Sequence, residues 1–273
     1  MTNHSRTPYG LFARLYDRIM EPVGYEMWAD YIEELCRLYD CQPKRVLDLA
    51  CGTGNTSFPF ARRGYDVVGV DRSAEMLEQA AAKAQGLGLA VGFRQADMRE
   101  FALDPPADLA ICLYDSINYL LDPADLTLVC RRVFGALRPG GLFIFDANTP
   151  HRLSRVEDED ETMVFDEDDY CLVWRNSYAP ASRIWRADLT GFLRRGDTFE
   201  RFREVHEERA YEPAELTAAA GTGGLEVLGM FSAFGFEAVM PSTARVYVVA
   251  RRPANAGGAA DAAAADGKGA GGS

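Results

Sequence analysis

The stretch Val46-Leu-Asp-Leu-Ala-Cys-Gly-Thr-Gly-Asn-Thr-Ser57 constrains the fold of this chain more than any other. Val46–Ala50 is an apolar run of the kind that fills a buried parallel strand. It breaks at Gly52 and Gly54, and a helical pattern then runs to Arg63. A strand that turns through glycines into a helix gathers backbone N–H groups and a helix N-terminus at one spot, which receives the polar part of a nucleotide-like ligand. A dinucleotide loop would need Gly-x-Gly-x-x-Gly, whose third glycine allows helix and strand to pack closely. Ser57 occupies that third position, so the pattern fails. Asp48 lies within the strand, where its carboxylate would meet a phosphate badly and a cationic amino group well.

Around this unit the chain alternates strand and helix. After Val46–Ala50 and a helix over 55–63, Asp66–Val70 reads as the second strand, with Asp71 at its end and Ser73 capping the next helix. Val91–Gln95 and Leu109–Leu113 are the third and fourth strands. The fifth, Leu142–Asp146, follows a turn at Arg138-Pro-Gly-Gly. Leu225–Ser232 and Arg245–Ala250 leave no room for a crossover helix between them, so they pair antiparallel. The fold class is therefore α/β. It is a seven-stranded, mostly parallel sheet with a C-terminal antiparallel hairpin strand and helices on both faces.

Residues 151–211 break the alternation. Tyr170–Tyr178, Arg183–Arg194 and Thr198–Tyr211 alternate as strands, giving a small antiparallel β insertion with Trp174, Trp185 and Phe192 as its own core. The acidic runs Glu157–Glu161 and Asp166–Asp169 read as solvated loops. Residues 1–7 are polar and expected to fray. Two aromatic-rich helices, Leu11–Ile19 and Tyr25–Leu38, form an N-terminal helical lid over 1–40. The α/β domain is then 41–150 plus 212–252, and 253–273, built of Ala, Gly and Asp, is a disordered tail.

The apolar-Asp-x-Ala-x-Gly-x-Gly stretch, with acidic residues after strands two and three and the terminal hairpin, resembles the class I S-adenosylmethionine (SAM) methyltransferases. The resemblance spans residues 8–252 and is specific to a bacterial small-molecule group with a β insertion after strand five. It implies SAM as cofactor. It puts Asp48, Ala50, Gly52 and Gly54 on the methionine and sugar side of SAM, with Asp71 accepting from the ribose hydroxyls beside Arg72. It sets Asp97 and Met98 at the adenine amino group and ring, Met76 stacked near adenine, Leu113 on the cofactor side, and Tyr16 and Trp28 in a lid over the methionine end. Each residue also has a plainer reading: turn glycines, a helix-capping Asp71, a loop Asp97, and an amphipathic helix pair over the sheet. The loop after strand four faces the transferred methyl in this family. It carries Tyr119 and Asn118, the substrate-side catalytic candidates, either of which serves equally as a loop brace.

The reaction so implied moves a methyl group from SAM to a nucleophilic N or O of a small-molecule acceptor. An amine must arrive unprotonated, whereas a hydroxyl needs a base. The net charge of −12 opposes nucleic-acid binding. Six cysteines without metal spacing fit reduced thiols in a cytoplasmic protein. No signal peptide or membrane-length apolar run is present. His151 and His206 stand isolated and read as surface or strand residues rather than catalysts, and no metal cluster is expected. The insertion either lids the acceptor site or builds a homodimer interface. Two other classes remain open at this level: a nicotinamide-dependent Rossmann oxidoreductase, and a non-catalytic SAM-binding protein.

Overall fold

The computed structural model describes residues 5–6, 8–155 and 162–254. In chain order the elements are β1 (Ser5–Arg6), α1 (Ala13–Ile19), α2 (Tyr25–Leu38), β2 (Arg45–Leu49), α3 (Ser57–Arg62), β3 (Asp66–Asp71), α4 (Ala74–Leu87), β4 (Val91–Gln95) and β5 (Ala107–Cys112). A short 3-10 helix, Ser116–Tyr119, precedes α5 (Pro123–Ala136), β6 (Leu137–Asn148) and α6 (Pro150–Ser154). The remainder is β7 (Thr162–Asp166), β8 (Tyr170–Ala179), β9 (Ile184–Arg195), β10 (Thr198–Arg209), α7 (Pro213–Thr222), β11 (Glu226–Ser232) and β12 (Arg245–Arg251).

The main sheet has the order β11-β12-β6-β5-β2-β3-β4. β2 pairs in parallel with both β3 and β5, and β12 is antiparallel to both of its neighbours. Because side chains alternate along a strand, successive residues feed opposite layers. Leu47, Val68, Ala110 and Phe143 pack under α5 and α7. Val46, Val67, Leu109 and Leu142 pack under α2 and Phe60 of α3. Covering both faces explains why the middles of these strands are apolar on both sides, Asp48 excepted. Ser73 caps α4 as expected, its Oγ accepting from the Met76 N–H at 3.1 Å.

The second sheet, β1-β10-β9-β8-β7, is the insertion, enlarged at both edges. β7 is a strand that the acidic residues around it concealed. Ser5–Arg6, expected to fray, pairs in parallel with Arg203 and Glu204 of β10. The two N-terminal helices, expected as one pair, divide. Leu11, Phe12 and Leu15 share a core with Tyr170, Leu172, Leu189 and Phe202 of the insertion. α2, in contrast, lies on the main sheet. Asp169, in the second acidic run, is not a bare solvated residue, since it accepts from Arg18 of α1 at 2.7 Å. The first run, Glu157–Glu161, and residues 255–273 of the expected tail lie outside the described residues. Strand five starts at Leu137 rather than Leu142 and absorbs the Arg138-Pro-Gly-Gly turn, where Gly140 N–H bonds to the Arg252 carbonyl. Among the described residues no helix is long and apolar enough to cross a membrane.

Candidate functional site

At the carboxyl end of β2 the chain turns through left-handed backbone at Ala50 (φ 55°), Gly52 (φ 55°) and Gly54 (φ 83°). A Cβ on Gly54 would also stand 2.7 Å from the Phe58 ring, so only glycine fits there. The Gly52 N–H donates to Asp71 Oδ2 at 2.9 Å, and the Ser73 N–H donates to Oδ1 at 2.8 Å. Asp71 thus ties the turn after β2 to the turn after β3. One lone pair remains on each of its oxygens. Burial pushes its carboxyl above the usual range, against the pull of those two N–H groups. Asp17 of α1 reaches over the same turn, accepting from Thr53 at 2.6 Å and Asn55 at 2.9 Å and pairing with Lys83 at 2.6 Å.

These turns open into a cavity of about 430 Å³. Ala50, Gly52, Asp71, Arg72 and Met76 line one end, with Asp97, Met98, Leu113 and Tyr16 beside them. Tyr119 lines it too, its hydroxyl 2.6 Å from that of Tyr9 and 3.0 Å from His206 Nδ1. Asp97 is held by Arg99 through Nε, Nη2 and the backbone N–H, and the guanidinium keeps its carboxyl below the usual range.

Four candidate residues do not reach the cavity. Asp48 is buried behind the turn, where its Oδ2 accepts from Thr56 Oγ1 and Ser57 Oγ, each at 2.6 Å. It anchors the start of α3 instead of facing a ligand amino group. Gly54 shapes the turn without lining the cavity. Trp28 belongs to the core, where it packs against Tyr114, Phe234 and Tyr247 and closes no lid. Asn118, fully buried, donates Nδ2 to the carbonyls of Asn148 (2.9 Å) and Arg209 (2.7 Å) and accepts the Asn148 N–H at 2.9 Å. Its hydrogen bonds brace the loop, the plainer of its two expected roles.

Burial pushes the Asp48 carboxyl up to about 6. A carboxyl raised in the folded state holds its proton there after the unfolded chain, near 3.9, has lost it. Its contribution to stability is therefore lost as pH rises between about 4 and about 6, and the loss is complete above that window. Asp48→Asn, which takes no charge into the core, is expected to gain in melting temperature relative to the natural chain as pH rises through this window. Thermal melts at pH 4.5, 5.5 and 7.5 check the sign; a difference that is flat or shrinks with pH contradicts it.

The sequence reading missed the opposite wall. Trp174 and Trp185 pack against the insertion core as expected, and they also line the cavity together with His206, Glu208 and Arg245. The buried face of β10 runs Phe202, Glu204, His206, Glu208, while Arg203, Val205 and Glu207 turn outward. Three titratable side chains on one buried strand face are abnormal for a structural sheet, because Glu is seldom fully buried without a partner. The period-two spacing Glu204-x-His206-x-Glu208 was the available signal. Among the described residues no group of His, Cys, Asp and Glu forms a metal-ligand set, so this face is not one. Burial drives the Glu208 carboxyl well upward, with the Asp115 charge adding and Arg245 opposing. Arg245 itself pairs with Asp146 at 2.7 Å and Asp115 at 3.3 Å.

An open α/β sheet whose glycine turn, acidic strand ends and cavity meet at the carboxyl edge of the strands defines a nucleotide-type ligand site at that edge. Residues 46–141 match the family model described as a methyltransferase domain. The chain is 32% identical over 208 residues to the methyltransferase-family protein YqeM of Bacillus subtilis (strain 168), covering 76% of this chain and 82% of that one. It is 29% identical over 246 residues to a methyltransferase-family protein of Geobacillus sp. (strain WCH70), covering 89% and 99%. A crystal structure of an S-adenosylmethionine-dependent methyltransferase from Clostridium acetobutylicum ATCC 824 superposes with a TM-score of 0.78 at 31% identity, over 90% of this chain and 99% of that one. The chain belongs to the class I SAM-dependent methyltransferases, and SAM is its methyl donor. The nicotinamide oxidoreductase reading falls with this result.

Proposed function

We propose that the enzyme methylates a small molecule, with SAM held at the glycine-turn end of the cavity and the acceptor at the insertion end. The single observation that carries this is the continuity of the cavity from Gly52 and Asp71 to Trp174, Trp185 and His206. Its enclosing walls come from three separate parts of the chain, and 430 Å³ suits a cofactor and a compact acceptor rather than a polymer.

The residues present fit SAM. Asp71 keeps a free lone pair on each oxygen for a vicinal diol, and the Gly52 backbone lies open beside it. Ala50, Arg72, Leu113 and Met76 complete that end, Met98 and Asp97 border the base, and Tyr16 covers the turn while Asp17 anchors its helix. Bound SAM supplies an electrophilic methyl on a cationic sulfur. The protein's share is alignment and exclusion of water, for which the aromatic wall and the α1 cover serve. The insertion acts here as the wall of the acceptor chamber. Six cysteines, five of them buried and all unpaired, suit a reducing cytoplasm.

The test is incubation with [methyl-3H]SAM and, separately, the small-molecule, protein and nucleic-acid fractions of bacterial cells. Label should enter the small-molecule fraction. Label confined to either polymer fraction overturns the reading.

A further inference from the structure

We infer that His206 is the general base of the methyl transfer, with Glu204 positioning it and Tyr119 relaying the proton, and that the acceptor is a neutral hydroxyl compound methylated on oxygen. This rests on the small-molecule reading above. His206 is buried on β10, its Nδ1 3.0 Å from the Tyr119 hydroxyl and its Nε2 3.5 Å from Glu204 Oε2. Glu204 is fully buried and fixed in place, accepting from the backbone N–H groups of Tyr9 at 2.9 Å and Phe12 at 3.1 Å. We assign the tautomer from these neighbours: Nε2, which has no hydrogen-bond partner and lies 3.5 Å from Glu204, carries the hydrogen, and Nδ1 accepts from Tyr119. The geometry is that of a base whose far side is oriented by a third group.

Tyr119 and Tyr9 share a 2.6 Å hydrogen bond and both line the cavity. Burial drives both phenols well above their usual range, so they stay protonated and pass protons without becoming resident anions. In the transfer the acceptor oxygen forms a bond to the methyl carbon as the carbon–sulfur bond breaks, and its electron pair returns to sulfur, leaving a neutral thioether. The acceptor proton moves to the Tyr119 oxygen, directly or through Tyr9, as the Tyr119 proton moves to His206 Nδ1. Positive charge thus passes from sulfur to imidazole, where Glu204 offsets it.

The charges around His206 argue for a hydroxyl over an ammonium. Asp115 and Asp146 are paired with Arg245, Asp97 with Arg99 and Asp17 with Lys83, while Glu208 is held toward its neutral form. Among the described residues the remaining cavity carboxylate without a cationic partner, Asp71, is committed to the cofactor end, so none at the acceptor end awaits a second cation beside the sulfonium. Tyr9 and Phe12 face the imidazole from the N-terminal segment and Tyr119 from the 3-10 helix. Glu204 and Glu208 face it from β10, and Asp115 acts on the same tyrosines. The unpartnered Trp185 Nε1 and Asn148 Oδ1 are buried polar atoms of cavity-lining residues, fit for a hydroxylated guest.

The experiment incubates the full chain with [methyl-13C]SAM and a small-molecule cell extract, and reads the new methyl carbon by NMR, whose shift separates oxygen from nitrogen. S-Adenosylhomocysteine (SAH) affinity is measured alongside. The expected product is an O-methyl compound, formed at a rate that rises with pH and then levels. His206→Gln should bind SAH normally, lose between about a hundredfold and ten-thousandfold in rate at neutral pH, and recover steadily as hydroxide increases. Should His206→Gln fail to bind SAH, Tyr119→Phe decides instead, with a rate loss of at least about tenfold and intact SAH binding expected. An N-methyl product, or a His206→Gln or Tyr119→Phe enzyme with the natural rate and pH profile, overturns the base and leaves the small-molecule reading standing. No labelled small molecule from natural protein that binds SAH overturns both.

Discussion

Asp71→Ala is expected to weaken SAH binding by about a hundredfold or more. Two charge-assisted hydrogen bonds to a ribose diol are each worth about 1.5–3 kcal/mol, and about 1.4 kcal/mol is a factor of ten in affinity. From the sequence, with Ser73 left to cap α4, the apo protein would be expected to lose little stability. The structure revises that. The same carboxylate accepts the N–H groups of Gly52 and Ser73, so its removal also frees a buried donor at Ser73 and a part-buried one at Gly52. A stability loss of roughly 2 kcal/mol, or several degrees in melting temperature, is expected as well. Asp71→Asn keeps one acceptor oxygen and should fall between the two. Calorimetric titration with SAH and thermal melts on the same samples resolve the roles. Lower melting with unchanged affinity would make Asp71 purely structural and remove it from the cofactor site.

Asn118→Ala should be the most damaging single change in the loop after β5, through folding rather than chemistry. The side chain is fully buried and serves two carbonyls and one N–H, joining the 3-10 helix to Asn148 of β6 and Arg209 of β10. Truncation strands the Asn148 N–H and the Arg209 carbonyl and leaves the Asn148 carbonyl only the 3.4 Å bond from the Tyr211 N–H, each stranded group costing about 1–3 kcal/mol when buried unpaired. A loss of roughly 3 kcal/mol or more is expected, near 10 °C in melting temperature for a chain of this size. Because β6 and β10 belong to different sheets, the loss should also loosen the insertion. Protease sensitivity at the insertion should rise, while SAH still binds the folded fraction. A variant that melts normally but has lost methyl transfer would restore Asn118 to the catalytic group.

What the sequence alone determined is the part of the site that topology delivers. Apolar runs with glycine breaks set the parallel strands, the short Leu225–Ala250 connection set the antiparallel pair, and ligands of such sheets meet the carboxyl edge. Ala50, Gly52, Asp71, Arg72 and Met76 all sit within a few residues of a strand end, so their placement followed from chain order. What the tertiary structure decided is every role that depends on which way a side chain turns and what packs across from it. Asp48 turns back to Thr56 and Ser57, Trp28 into the core and Asn118 into a brace. The chamber opposite the cofactor end joins Tyr9 to Glu204 across 195 positions and Tyr119 to His206 across 87. No local pattern encodes such a pairing. It exists because α1 packs on the insertion and the insertion closes over the sheet, which brings one buried face of β10 onto the loop after β5.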